Sequence, residues 1–161
     1  MTAQTDARRP EIKTMANLEA AFAGESMAHI KYRYFAKLAR EAGDEATARV
    51  FEETAAQEVM HAFGHLDLLY PKADITPAKA LEIAIAGETY EYTEMYPGFR
   101  ATAEAEGNAA AVAEIDEQIG ESREHAQNFQ ALLEKARKRF AALAKVEQRH
   151  AEHYAAQLRS L

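Results

Sequence analysis

The stretch NLEAAFAGES at residues 17–26 recurs further along the chain as ALEIAIAGET at residues 80–89, with six of the ten positions identical. Both copies are rich in alanine and contain no proline, which favours helix. An internal repeat of this kind predicts a structure built twice from one helical unit. The sequence therefore predicts an all-α bundle with a pseudo-two-fold axis, in which Glu25 and Glu88 occupy equivalent positions.

A second repeat places a glutamate three residues before a histidine. Glu58 precedes His61 in this way, and Glu147 precedes His150 in a matching sequence frame. Residues three apart on a helix point off the same face, so each pair can reach one metal ion. Two such pairs predict a site for two metals.

Proline, glycine and capping residues divide the chain into helical segments. Residues 1–13 are predicted to form a flexible polar tail, and residues 14–161 a single helical domain. Asp44 and Thr76 are the predicted N-caps, and Pro97 predicts a kink. A break in the last helix is predicted between residues 131 and 139. The predicted helices span 14–42, 45–69, 77–105 and 109 to the C-terminus.

A weaker third copy of the glutamate–histidine frame lies near the start of the last helix. There Ser122 stands where glutamate is expected, three residues before His125. Glu121 lies 33 residues after Glu88, the separation that also joins the two glutamates of the first half. Chain geometry therefore favours the pair Glu121 and His125.

Fidelity to the motif instead favours Glu147 and His150, so the last ligand pair stays open between the two regions. On that second view residues 108–133 are an extra helical segment, and the final ligand helix comes after it. The candidate metal ligands are then Glu25, Glu58, His61, Glu88, Glu91, Glu147 and His150, with Glu121 and His125 as the alternative pair.

Carboxylates and imidazoles are the ligand types that suit iron or manganese, and they do not resemble a structural zinc site. Five carboxylates inside a bundle would cost several kcal/mol each if unpaired. Two divalent ions would offset most of that charge, whereas one would not. The sequence therefore predicts two iron ions, with manganese as the other possible metal.

Two tyrosines follow the repeated glutamates at nearly equal distances. Tyr32 lies seven residues after Glu25, and Tyr96 lies eight after Glu88. Their hydroxyls are predicted to hydrogen-bond the ligating carboxylates or a bound oxygen species. The offset of one residue predicts an extra residue in the third helix, such as a π-bulge.

Composition excludes several classes of function. A net charge of −7 leaves no broad basic surface for nucleic acid or anionic membranes. The absence of cysteine excludes disulfides, thiolate zinc sites and iron–sulfur clusters. No stretch approaches the roughly 18 apolar residues of a membrane span, and residues 1–13 lack the apolar core of a signal peptide. We therefore expect a cytoplasmic protein that binds neither nucleic acid nor membranes.

These motifs resemble the rubrerythrins, within the ferritin-like di-iron superfamily, over most of residues 14–161. The similar stretches are AFAGES at 21–26, EVMHAFGHL at 58–66, AGETYEYTEMYPGF at 86–99 and AALAKVEQRHAEHY at 141–154. The resemblance implies a ferritin-like four-helix bundle with an additional helix or helical extension. It also implies that the seven candidate ligands hold two irons, with Tyr32 and Tyr96 beside them.

The same resemblance implies a peroxidase that reduces hydrogen peroxide to water in oxidative-stress defence. Full-length rubrerythrins carry a rubredoxin-like domain with a four-cysteine iron, and this sequence has no cysteine. The chain thus resembles the short, rubredoxin-lacking, sulerythrin-like branch, which implies an external electron donor protein. A homodimer is expected, with exchange of a helix between protomers as an alternative arrangement.

Other functions remain open at the level of sequence. A ferroxidase or oxidase that uses dioxygen would need the same ligands. A non-catalytic iron-binding module would release iron reversibly without turnover. A helical interaction bundle without metal would purify free of iron and would not respond to chelators.

Overall fold

A computed structural model of the chain describes residues 13–159, and all regular structure in this range is helical. The tail predicted at residues 1–13 therefore lies outside the described residues, apart from Lys13. The predicted helix bounds are confirmed to within one residue up to the third helix. The elements are α1 (Thr14–Glu41), α2 (Glu45–Leu69), α3 (Pro77–Tyr90), a π-helical segment (Glu91–Met95), α4 (Tyr96–Ala105) and α5 (Ala109–Arg159).

The predicted caps are present at the starts of α2 and α3. The Thr47 amide donates to Asp44 Oδ1 at 3.0 Å, and the Lys79 amide donates to Thr76 Oγ1 at 3.1 Å. Each bond satisfies one of the amide groups that a helix start leaves unpaired. Gly43 adopts a φ of +82°, so the turn between α1 and α2 needs the left-handed conformation that glycine tolerates.

The chain forms two compact units that divide after Asp74. In the first unit, α1 and α2 form an antiparallel hairpin. Ala48, Ala55 and Ala62 are buried at seven-residue intervals along α2, so one small-residue stripe faces α1. Small side chains let the two helix backbones approach closely, while Phe51 packs its ring against Tyr32 at 5.8 Å between centroids.

In the second unit, α5 runs antiparallel to α3, the π-helical segment and α4. The pairing begins with Arg100 and Asp116, whose Nε and Oδ1 atoms lie 2.6 Å apart. It continues towards the start of α3, where Arg137 Nη2 lies 3.0 Å from Glu82 Oε1. Between these two ion pairs the buried face of α5 carries Ser122, Ala126 and Leu133.

The π-helical segment confirms the predicted extra residue in the third helix. It spans Glu91–Met95, and the Tyr96 amide donates across the wider turn to the Glu91 carbonyl. Pro97 is the second residue of α4, directly after this segment. Proline lacks an amide hydrogen and cannot extend regular α-helical bonding, so the wide turn lies where its ring enters the helix.

The break predicted between residues 131 and 139 is wrong. Helix α5 is continuous for 51 residues, from Ala109 to Arg159. The region contains no proline or glycine, and residues such as alanine, leucine, lysine and arginine are strong helix formers. A span too long for an ordinary bundle helix was therefore not a reason to expect an interruption.

Gly120 provides a test of helix propensity in α5. A side-chain carbon added at Gly120 would meet no atom within 4 Å. We therefore expect Gly120→Ala to raise the free energy of unfolding by about 1 kcal/mol, measured by urea denaturation. Gly43→Ala is the opposite control and should lower it, because Gly43 has positive φ. A loss of stability in Gly120→Ala would contradict the expectation.

No helix among residues 13–159 combines the length and the apolar character needed to span a bilayer.

Candidate metal centre

One carboxylate from α1 meets a glutamate and a histidine from α2 in the first unit. Glu25, Glu58 and His61 each offer a ligand atom, and these atoms all lie within 4.8 Å of one another. His61 Nδ1 lies 2.8 Å from Glu58 Oε2 and 3.9 Å from Glu25 Oε2. We call these three residues the first cluster.

The three side chains of the first cluster differ in their exposure to solvent. The side chain of Glu58 is 15% exposed and that of Glu25 is 29% exposed, whereas His61 is 58% exposed. The carboxylates are thus shielded between the helices, and the imidazole stands at the rim. Two shielded carboxylates with an adjacent imidazole offer a hard cation three ligands without rearranging the helix pair.

In the second unit, α3 and the π-helical segment direct two glutamates at α5. His125 Nδ1 lies 3.5 Å from Glu88 Oε2, and the Ser122 hydroxyl donates to Glu91 Oε2 at 2.9 Å. We call Glu88, Glu91, Ser122 and His125 the second cluster. The geometry brings the predicted pair Glu88 and Glu91 to the 122–125 region of α5.

Ser122 is a buried member of the second cluster. In the repeated motif it takes the place of a ligand glutamate, and the residue is 4% exposed with its hydroxyl bound to Glu91. A hydroxyl in this position orients one carboxylate oxygen and adds no negative charge. The sequence feature that could have identified Ser122 is its position three residues before His125.

Tyr96 lies beside the second cluster with its phenol kept in the neutral form. Burial is the main cause that raises the pKa of Tyr96, and nearby carboxylates raise it further because a phenolate would repel them. The hydroxyl therefore remains a hydrogen-bond donor throughout the neutral range. The carboxylates that contribute are Glu91, Glu88, Glu114 and Glu121.

The Tyr96 shift predicts a late titration at alkaline pH. Because the pKa is raised in the folded state, this phenol adds no pH dependence below about pH 10, and stability falls as the pH rises through the folded-state value. Ultraviolet titration should lose its most alkaline phenolate signal in Tyr96→Phe. Glu91→Gln should move that signal to lower pH, and an unchanged titration in both variants would contradict the assignment.

Tyr32 has a different setting within the first unit. Its ring packs on Phe51, which lies about two helical turns before Glu58 along α2. Within residues 13–159, its hydroxyl makes no hydrogen bond to Glu25 or Glu58. The predicted role of Tyr32 beside the metal stays a prediction.

Glu147 and His150 lie in the C-terminal part of α5. Their side chains are 76% and 61% exposed, and Glu147 Oε2 lies 3.8 Å from His150 Nδ1. Glu147 follows His125 by 22 residues, which is about 33 Å along an α-helix. The structure therefore does not bring Glu147 and His150 to Glu88 and Glu91. The alternative His125 does lie at Glu88, and Glu121 is close enough to act on Tyr96.

Most of this chain is similar to known proteins of one family. The family model of rubrerythrin matches residues 16–133, a range that includes Glu121 and His125 and ends before Glu147. A nigerythrin from Nitratidesulfovibrio vulgaris is 41% identical over 111 residues, covering 62% of this chain and 55% of that protein. A rubrerythrin from Porphyromonas gingivalis is 40% identical over 133 residues, covering 75% of this chain and 66% of that protein.

Rubrerythrin-1 from Clostridium acetobutylicum is 34% identical over 136 residues, covering 75% of this chain and 70% of that protein. The chain thus spans between just over half and about two thirds of the length of these relatives. A solved structure described as a mixed-valence state of nigerythrin has 35% identity and a TM-score of 0.40, and covers 83% of this chain and 72% of that one.

Proposed function

Because the chain belongs to the rubrerythrin family of the ferritin-like superfamily, we propose that it reduces hydrogen peroxide to water at a two-iron centre, with electrons from an external donor protein. Family membership implies iron binding and oxidoreductase chemistry. The number of ions and the choice of peroxide as substrate are the proposed steps. The observation that carries the proposal is the convergence of Glu25, Glu58 and His61 within 4.8 Å.

The side chains present fit iron. The first cluster offers carboxylate oxygens and one imidazole nitrogen, which are ligands that Fe²⁺ and Mn²⁺ accept. The second cluster offers the same donor types through Glu88, Glu91 and His125. The sequence repeat that relates Glu25 to Glu88 supports the view that the two clusters are equivalent ligand groups, one in each unit.

We choose Glu121 and His125 over Glu147 and His150 as the last ligands of the proposed centre. His125 lies 3.5 Å from Glu88, and the electrostatic effect of Glu121 on Tyr96 indicates that this carboxylate faces the same region. The 33-residue spacing that the sequence repeats leads to the same choice.

Two bound ferrous ions would supply the two electrons of the reaction, in which H₂O₂ and two protons give two molecules of water. The chain's residues would control charge and protons around this step. Tyr96 keeps its proton at neutral pH and can donate a hydrogen bond to an oxygen that gains negative charge. Ser122 donates to one oxygen of Glu91, Oε2, which leaves the other oxygen as the one that would bind a cation.

Rapid mixing of the ferrous-loaded protein with each oxidant tests the proposed substrate. We expect hydrogen peroxide to oxidise the iron at least about 10-fold faster than dioxygen at equal concentration, with one peroxide consumed per two irons. Iron that is oxidised equally fast or faster by dioxygen would contradict the peroxidase and favour the ferroxidase or oxidase alternative. Iron that leaves reversibly without turnover would favour the iron-binding module.

The homodimer and the external electron donor remain proposals. Large apolar side chains stay exposed in both units: Met60 is 67% and Phe63 57% exposed in the first, and Phe99 is 55% exposed in the second. Exposed apolar area of this extent is typical of surfaces that bind another protein. Sedimentation of the full chain tests the dimer.

A further inference from the structure

The C-terminal part of α5 extends beyond the helix against which α5 packs. Arg137 pairs with Glu82, five residues after the start of α3 at Pro77. Because the helices are antiparallel and rise equally per residue, α5 passes the start of α3, at Pro77, at about residue 142. Helix α5 nevertheless continues to Arg159. We call residues 140–158 the C-terminal segment.

One face of the C-terminal segment carries large exposed side chains at regular intervals. The steps between them are three or four residues, which is the spacing of a helix-pairing seam. The apolar members are 52–73% exposed, and the glutamate and histidine at the centre are exposed as well. The seam consists of Phe140, Leu143, Glu147, His150, Tyr154 and Leu158.

The corresponding face of α2 shows what such a seam does. Phe51, Glu58 and His61 have the same spacing as Phe140, Glu147 and His150. On α2, the phenylalanine packs against aromatic rings of α1, and the glutamate and histidine meet a glutamate of α1. The repeated pattern is therefore a face that pairs with another helix and presents metal ligands to it.

The seam is complementary to itself in the antiparallel sense. Suppose that a second copy of the seam runs antiparallel to the first, with the two-fold axis between residues 148 and 149. Glu147 then lies opposite His150 of the second copy, and Leu143 lies opposite Tyr154 of that copy. Ala144 and Ala151 flank one side of the centre, and their small side chains favour close approach of the helices there. A face that matches itself under a two-fold rotation is what an isologous contact requires.

We propose that two copies of this chain pair antiparallel through the C-terminal segment and bind one divalent transition-metal cation between them. The ligands are Glu147 and His150 from each copy. Packed helices lie about 8–10 Å apart, a distance that these side chains span from both sides. The cation neutralises two carboxylates that would otherwise be desolvated in an apolar seam. Two imidazoles and two carboxylates suit Zn²⁺, Fe²⁺ or Mn²⁺, and this site is separate from the proposed iron centre.

Disulfide trapping tests the pairing, because the chain contains no cysteine of its own. Leu143→Cys and Tyr154→Cys proteins, mixed and oxidised, should form the mixed disulfide in preference to either homodimer. In the antiparallel register, residue 143 of one copy lies about 16 Å along the helix axis from residue 143 of the other copy, which is too far for a disulfide. Lys145→Cys, on the opposite face of the segment, is the control that should not crosslink. Preferential homodimers through residue 143, or no crosslink, would overturn the proposal.

Zn²⁺ binding tests the metal site without relying on activity. Metal-free wild type should bind about half an equivalent of Zn²⁺ per chain more than the double variant Glu147→Gln/His150→Ala. Zn²⁺ should also tighten dimerisation of the wild type by about 10-fold in sedimentation, by reciprocal linkage, and should not do so in the double variant. Glu152→Gln is the matched control on the outer face and should behave as wild type. Equal Zn²⁺ stoichiometry in wild type and double variant would overturn the metal site, even if the segment pairs.

Discussion

Glu58→Gln is expected to abolish most iron binding at the first cluster and to lower the rate of peroxide reduction by at least about 100-fold. Glu58 is the least exposed of the three residues in the first cluster, and its Oε2 lies 2.8 Å from His61 Nδ1. Glutamine has nearly the same shape but provides a neutral, weaker donor in place of the carboxylate. The change therefore removes the charge that holds the cation and leaves the packing in place.

The measurements for Glu58→Gln are iron per chain, the absorption of the oxidised centre and the rate with peroxide. Glu53→Gln is the matched control, because Glu53 is an exposed glutamate on the same helix. Metal-free Glu58→Gln should unfold within about 1 kcal/mol of the wild type, which separates ligand loss from misfolding. Full iron content in Glu58→Gln would show that the first cluster is not part of the metal centre.

His125→Ala is expected to have the second large effect, with loss of one iron and of the absorption of the oxidised pair. Nδ1 of His125 lies 3.5 Å from Glu88 Oε2, so its removal takes away the imidazole of the second cluster. His150→Ala lies about 37 Å further along the helix and is expected to keep that absorption. The two variants compare the competing ligand pairs under identical conditions.

Iron content and visible spectra of the His125→Ala and His150→Ala proteins decide between the pairs. Loss of the iron spectrum in His150→Ala with retention in His125→Ala would reverse the assignment and restore the repeated motif as the ligand pair. Retention of the full spectrum in both would exclude each histidine as an essential iron ligand. Circular dichroism of both variants checks that α5 remains folded.

Local signals were sufficient for the helical architecture. The capping side chains of Asp44 and Thr76, the glycine at position 43 and the apolar periodicity act over a few residues, so their consequences can be predicted without tertiary contacts. The one-residue offset between Tyr32 and Tyr96 likewise predicted the π-helical segment. The helix prediction that was wrong is the break between residues 131 and 139, where the sequence contains no local signal for an interruption.

The sequence by itself determined which residue types could hold metal and that the ligand-bearing units are repeated. It also identified Glu25, Glu58 and His61, since fixed helical spacing and a short turn leave little freedom in how α1 and α2 pair. The sequence alone is therefore sufficient to predict the members of the first cluster.

Only the tertiary structure decided which part of α5 faces Glu88 and Glu91. Motif matching compares residue types and ignores the distance along a helix, so it ranked Glu147 and His150 above Ser122 and His125. Antiparallel packing of α5 against α3 sets an axial register, and at 1.5 Å per residue that register places His125 at Glu88 and the later pair about 33 Å away. The rise of the helix, which no motif records, is the physical reason.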